Sequence, residues 1–357
     1  MPWVSDFLDS DNIPGVLLMA ALTPFIMPLI DESQRSRFEF NTYVYGDSGS
    51  GKSAITKLLV DYFEGSPNII NLHSNKSEID KIFEYKHCCV AIDDLCGTDS
   101  NRERENNEQK LSENLKRVQT PGQIVRDGKR IKNESMLFVT GEYLLKSSST
   151  LNRCLVVNLK DPIPPKEINK LCRNKDQYLE MVRCFIEWVC KNYDRLSEDL
   201  NSKLSDVKNH KNKAERYSGF NRNYAIKSLL FCICDIFCEF IRSVSHDDMT
   251  MIIRRRSIEN SIEAQIDDTL RHLENRSSEY ASSRNIVEEV AAAILNSKNV
   301  YDDIKVFRNA ICFDEGPRYY DDQLEGSFII SGEELKKIFS SRLSAKSIGE
   351  ALADENM

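Results

Sequence analysis

The stretch Gly46-Asp47-Ser48-Gly49-Ser50-Gly51-Lys52-Ser53 decides the fold, because it fills every fixed position of the phosphate-loop pattern G-x-x-x-x-G-K-[ST]. Its glycines open backbone conformations closed to larger residues, so successive amides can turn inward onto an anion. Lys52 supplies a point charge for the β- and γ-phosphates of a nucleoside triphosphate, and Ser53 a hydroxyl for Mg²⁺. A helix beginning near Lys52 adds the positive end of its dipole. A Gly/Ser-rich turn would share these letters by chance, so the flanks carry the decision. Upstream, Phe38-Glu39-Phe40-Asn41-Thr42-Tyr43-Val44-Tyr45 is aromatic and β-branched with rough alternation, a strand pattern. Downstream, Ala54 to Phe63 places apolar residues at helical spacing, with Gly65 as the stop. Strand, loop and helix thus follow in the order that nucleotide binding requires.

A second motif lies 40 residues beyond Ser53. Cys88-Cys89-Val90-Ala91-Ile92 is a short apolar run suited to a buried parallel strand, and it ends in Asp93-Asp94. Carboxylates at such a strand tip sit beside the phosphate loop. Asp93 is then placed to hold the Mg²⁺ shell, and Asp94 to orient or deprotonate the attacking water. Aspartate is also common in ordinary strand-end turns, so this motif draws its force from its pairing with the loop.

Further strands are predicted at Asn68–Leu72, Met136–Thr140 and Cys154–Leu159. A short helix is predicted over Ser77–Tyr85, capped by Asn75 and Glu78, and a polar helix over 101–118. Alternating strands and helices predict an α/β P-loop NTPase fold, with a five-stranded parallel sheet and helices on both faces. Ligands bind at strand C-termini in such sheets, which places Thr140, Gly141 and Glu142 near the γ-phosphate. Thr140 is a candidate to position the hydrolytic water; a simple strand-end hydroxyl is the alternative. Arg153, just before the fifth strand, is the second catalytic candidate. In ring-forming ATPases an arginine here can project into the neighbouring subunit's nucleotide, and the plain alternative is a surface arginine on a loop.

At 357 residues, with 41% hydrophobic and 29% charged residues, the chain has the composition of a globular protein of two or three domains. A formal net charge of −8 argues against a role in coating nucleic acid wholesale. The 11 cysteines show no paired metal spacing; Cys232, Cys234 and Cys238 fall in an apolar helical stretch and read as buried thiols in a reducing cytosol. Ile13 to Ile30 carries no charge over 18 residues, but Pro24 and Pro28 interrupt it and no basic residue precedes it. It reads as a helix buried against the nucleotide-binding domain, followed by a Pro-rich turn, and not as a membrane span.

Between the acidic pair and the fourth strand, residues 116–132 hold six basic side chains against one acidic. Gln123 to Lys132 reads as a β-hairpin turning at Asp127-Gly128. Arg126, Lys129, Arg130 and Lys132 are its candidate contacts to a nucleic-acid backbone; a solvated edge hairpin is the alternative. Asp161-Pro162-Ile163-Pro164-Pro165 marks a boundary, after which the pattern is helical to Asn296. Arg254-Arg255-Arg256 reads as a solvated helix face. The expected organisation is an N-terminal helical segment over 1–37, the ATPase domain over 38–160, a helical domain over 161–298, and a small winged-helix-like module over 299–357.

Taken together, Ala20-Ala21-Leu22, the loop at 46–53, Ile92-Asp93-Asp94, Arg126-Asp127-Gly128-Lys129-Arg130 and Val139-Thr140-Gly141-Glu142 resemble the helicase- or primase-associated ATPases of phages and integrative mobile elements, relatives of the AAA+ and superfamily-three helicases. The resemblance spans about residues 13–160. It implies a homo-oligomeric ring, with a hexamer favoured, that hydrolyses ATP with Mg²⁺ and works on single- or double-stranded DNA in the cytoplasm during element replication. The abrupt ends of the chain lead to the expectation that a primase or other domain of a larger protein lies outside it. Two departures stand out: Thr140 occupies the fourth-strand tip where the family has a catalytic Asn, and no zinc or primase active-site motif is present. A GTP-reading Asn-Lys-x-Asp motif is only approached, by Asn75-Lys76-Ser77-Glu78, too early in the chain. A nucleotide-gated regulator or scaffold without translocation is the alternative class.

Overall fold

The computed structural model describes residues 2–10, 12–62, 70–71, 80–95, 101–118, 123–126, 129–206, 221–244, 254–275, 307–311 and 326–328. The chain divides into two compact units, Met1–Arg271 and His272–Met357.

In the first unit the strands are β1 Asn41–Tyr45, β2 Ile70–Asn71, β3 Lys86–Leu95, β4 Gln123–Arg126, β5 Lys129–Lys132, β6 Glu134–Gly141 and β7 Cys154–Asn158. Four of them form the body of a parallel sheet in the order β3-β6-β1-β7, and the two residues of β2 pair in parallel with the outer edge of β3. Because β6 lies between β3 and β1, the tips of the acid-bearing and loop-bearing strands flank that of β6. Strand periodicity sorts the side chains into two layers. Val44, Cys89, Ala91, Phe138, Leu155 and Val157 join one large hydrophobic core with the helices Val16–Ile26 and Lys52–Val60. The alternate set, Tyr43, Val90, Ile92, Leu137, Val139 and Val156, is also buried. Leu111 and Leu115 are buried on the helix Asn101–Val118, which packs beside β6.

The uncharged stretch near the N-terminus is a fully packed helix, with Val16 to Pro24 all buried. Pro24 lacks the amide that would bond to Ala20, and the Cys89 thiol lies 3.9 Å from that carbonyl oxygen as a weak donor. The Tyr62 hydroxyl donates to the next carbonyl, that of Ala21, at 2.5 Å. A 3₁₀ turn over Met27–Leu29 then ends the segment. Among the described residues no helix is long and apolar enough to cross a membrane.

Several elements differ from expectation. The third strand runs on to Leu95, so Asp93 and Asp94 lie inside it; its register with β6 shifts between Ile92 and Leu95. The helix predicted from Ser77 is, over its described part, a 3₁₀ turn at Asp80–Glu84; Asn75 and Glu78 lie outside the described residues. The Arg254–Arg256 run is not simply solvated. Arg254 pairs with Asp9 at 3.3 Å, and Arg255 with Asp235 at 2.6 Å and Glu259 at 2.8 Å, so the run ties the helix over 254–275 to two neighbours.

β4 and β5 form an antiparallel hairpin, with Arg126 opposite Lys129. The turn at Asp127-Gly128 and the side chains of Arg126, Lys129 and Arg130 lie outside what is described, and Lys132 is exposed. In the second unit, strands Phe307–Ile311 and Gly326–Phe328 pair in parallel. The winged-helix expectation rests on residues outside the described ones.

Candidate functional site

The phosphate loop leaves β1 at Gly46 and enters the helix at Lys52. Two glycines are forced. A Cβ on Gly46 would stand 2.6 Å from the Leu159 carbonyl oxygen, which is backbone and cannot yield. Gly51, the residue before the helix, has φ +91°, in the left-handed region that side chains resist, and its face packs on Ile163 and Ile168. Backbone bonds clamp the loop to three neighbours. Gly46 N donates to Gly141 O at 3.3 Å, Leu159 N to Tyr45 O at 2.8 Å, and Ile163 N to Ser50 O at 3.0 Å. Inside the loop Lys52 is only 7% exposed, and its ammonium donates to Gly46 O at 2.8 Å and Asp47 O at 2.6 Å, with Ser50 Oγ at 3.3 Å.

Beyond Lys52 the site converges on one carboxylate. Ser53 Oγ donates to Asp93 Oδ1 at 2.8 Å, and the Thr140 hydroxyl donates to the same oxygen. Thr140 is 2% exposed at the end of β6, so the strand order brings loop, acid and hydroxyl to one point. Ser53 and Asp93 offer the hard oxygen donors that Mg²⁺ takes, and the adjacent glycine cradle suits the phosphates, so these residues fit a Mg²⁺–nucleotide. The backbone of Asp94 lies in β3; its side chain is outside the described residues.

Arg153 is not brought to this point. Its carbonyl accepts from Asn41 N at 3.1 Å, and its neighbour Cys154 pairs with Asn41, the first residue of β1. It therefore sits at the opposite end of the sheet from its own loop, roughly 13 Å away along β1 at 3.3 Å per residue.

A polar group behind the β6 tip was not legible in the sequence. The Tyr43 hydroxyl donates to Tyr143 O at 2.5 Å, over a Gly141 whose missing Cβ makes room for it. The Arg104 guanidinium lies 4.7 Å over the Tyr143 ring, and Glu108 accepts from Lys146 N at 2.8 Å. Burial, with Glu108 next, pushes the Tyr143 phenol up to about 12. Burial, then Asp268, does the same for Tyr45. No sequence signal marked it, since Tyr43, Arg104 and Tyr143 lie far apart along the chain.

Residues 41–161 match the family nSTAND3, described as Novel STAND NTPase 3. The match covers about a third of the chain and contains the loop, Asp93, Thr140 and Arg153. No curated protein matches. Among solved structures, one named SCCmec type IV Cch, active helicase, is similar over 99% of this chain with a TM-score of 0.54 and 13% identity. This chain spans 65% of that structure's length. Family, fold and site agree on a P-loop NTPase with a nucleotide-driven function.

Proposed function

We propose that the chain hydrolyses ATP with Mg²⁺ in an AAA+-like ring of identical subunits, a hexamer by preference, and that turnover drives a DNA-directed, helicase-like motor in a phage or mobile element. The observation that carries the reading is the meeting of Ser53 and Thr140 on the Asp93 carboxylate at the mouth of the phosphate loop. Bound there, Mg²⁺ would neutralise charge on the β- and γ-phosphates. The protein's own share is positional. The loop amides and Lys52 hold the phosphates, Ser53 and Asp93 hold the metal, and Thr140 fixes the angle of the Asp93 carboxylate. Asp94 serves as the base for water. Arg153, remote from its own loop, is assigned to the neighbouring subunit's γ-phosphate. The β4–β5 hairpin is assigned to the DNA backbone through Arg126, Lys129, Arg130 and Lys132. Residues 1–37 and 161–298 serve the ATPase domain of 38–160, with 299–357 as a winged-helix-like module. Similarity to a structure named as a helicase supports the motor reading.

A second reading, a nucleotide-gated regulator without translocation, is favoured by the matched family, whose description names an NTPase and no motor. ATP turnover measured with and without single-stranded DNA, beside the oligomer mass, separates them. The motor reading expects Mg²⁺-dependent turnover in an oligomer, raised by DNA. Turnover indifferent to DNA leaves the regulator.

A further inference from the structure

We infer that the Tyr43 phenol is a positioning residue for hydrolysis, pinning the chain just past the β6 tip so that the Thr140 hydroxyl stays on the Asp93 carboxylate. This rests on the hydrolysis reading above and adds a residue to the same site. The backbone ladder by itself leaves that tip loosely specified. Ile92 pairs with Val139 and Leu95 with Gly141, so Asp93 and Asp94 together oppose the single residue Thr140. Such a bulge breaks the regular pairing at the point where the acid must be aimed. On the other side, the β1–β6 register ends at Tyr45 opposite Gly141. There the Tyr43 hydroxyl takes over. It donates to Tyr143 O at 2.5 Å, beyond Val139, its own partner in the register.

A Cβ on Gly141 would stand 2.2 Å from the Tyr43 oxygen and 2.9 Å from its Cζ, so the phenol fills the place of a side chain at that residue. The Gly141 carbonyl accepts from Gly46 N at 3.3 Å, which makes the residue under the phenol a neighbour of the first loop amide as well. Tyr45 stacks beside the Tyr43 ring, centroids 6.1 Å apart, and Tyr43 is fully buried. The ring therefore stays in place when its hydroxyl is removed. Arg104, 4.7 Å over the Tyr143 ring, and Glu108, on Lys146 N at 2.8 Å, hold the same segment from the helix Asn101–Val118. Without the phenol the segment keeps its fold, and Thr140 loses its fixed aim. Burial, then Tyr143, raises the Tyr43 phenol well above its usual range, so it is a donor throughout the neutral range.

The test uses the full chain with Tyr43→Phe, Thr140→Val and the two combined. Tyr43→Phe removes one neutral hydrogen bond and is expected to lower kcat for MgATP roughly 5- to 10-fold, with KM within about threefold. The double variant decides the route. A residue that acts through Thr140 has nothing left to position once that hydroxyl is gone, so the pair should be no slower than Thr140→Val alone. Losses that multiply overturn the inference, because Tyr43 then acts elsewhere. Full-rate turnover by Tyr43→Phe, or a Tyr43→Phe chain that does not fold, overturns it too, the phenol being then idle or a structural support. Absence of MgATP turnover in the unaltered chain is a different result: it removes the hydrolysis reading, and the inference with it.

Discussion

At the scale of single residues, Asp93 is the pivot, and Thr140 is the side chain that decides how it points. Replacing Thr140 by Val keeps the shape and removes a hydroxyl that donates to a carboxylate, an interaction worth about 1.5–3 kcal/mol. Thr140→Val should therefore lower Mg²⁺-dependent turnover roughly 10- to 100-fold with nucleotide affinity within about threefold, and Thr140→Ser should restore it. Steady-state ATPase assays and nucleotide titration read both. The loop glycines allow a graded test. Gly46→Ala drives a Cβ to 2.6 Å from the Leu159 carbonyl, whereas a Cβ on Gly49 meets nothing within 4 Å and only its φ of +78° resists. Gly49→Ala should cost about 1–2 kcal/mol of stability, and Gly46→Ala more, with weaker nucleotide binding. Thermal unfolding of the two variants side by side gives the order. Residues 46–53 were legible because a phosphate loop is local, eight consecutive residues carrying their own chemistry. The shared hydrogen bonds of Ser53, Thr140 and Asp93 were not, since they depend on which strand tips become neighbours.

At the scale of elements, the loop helix is held at its far end by segments distant in the sequence. Tyr178 donates its hydroxyl to Leu59 O at 2.6 Å, satisfying one of the carbonyls that a helix end leaves open. The Trp3 ring lies 4.5 Å from the Tyr178 ring, tilted by 33°, and donates Nε1 to Leu171 O at 3.2 Å. The helices Pro2–Leu8, Pro165–Arg173 and Lys175–Lys191 thus brace Lys52–Val60 together. Trp3→Ala should cost about 3–5 kcal/mol, and Tyr178→Phe about 1 kcal/mol with the packing kept. Chemical denaturation measures both; equal losses would mean the hydroxyl, not the ring contact, carries the brace. Sequence periodicity found these helices because burial imposes it, but periodicity says nothing about which helix a buried Trp meets. The same limit explains Arg254–Arg256. A run of three like charges reads as solvated until Asp9, Asp235 and Glu259 are known to face it.

At the scale of the whole molecule, the Pro-rich stretch after β7 shows how a boundary in sequence can be a wall in space. Asp161-Pro162-Ile163-Pro164-Pro165 changes the pattern from alternating to helical, yet Ile163 N bonds Ser50 O and the Ile163 side chain packs on Gly51. The helices that follow share the hydrophobic core of the sheet, so a single unit runs to Arg271. The partners described for the phosphate loop lie within it: Asp93, Gly141, Leu159, Ile163 and Ile168. A chain ending at Arg271 should therefore keep MgATP affinity within about threefold of the full chain, because binding depends on loop amides and Lys52 that the first unit positions by itself. Calorimetric titration of both chains checks this. A tenfold loss would show that the first unit does not position the loop by itself.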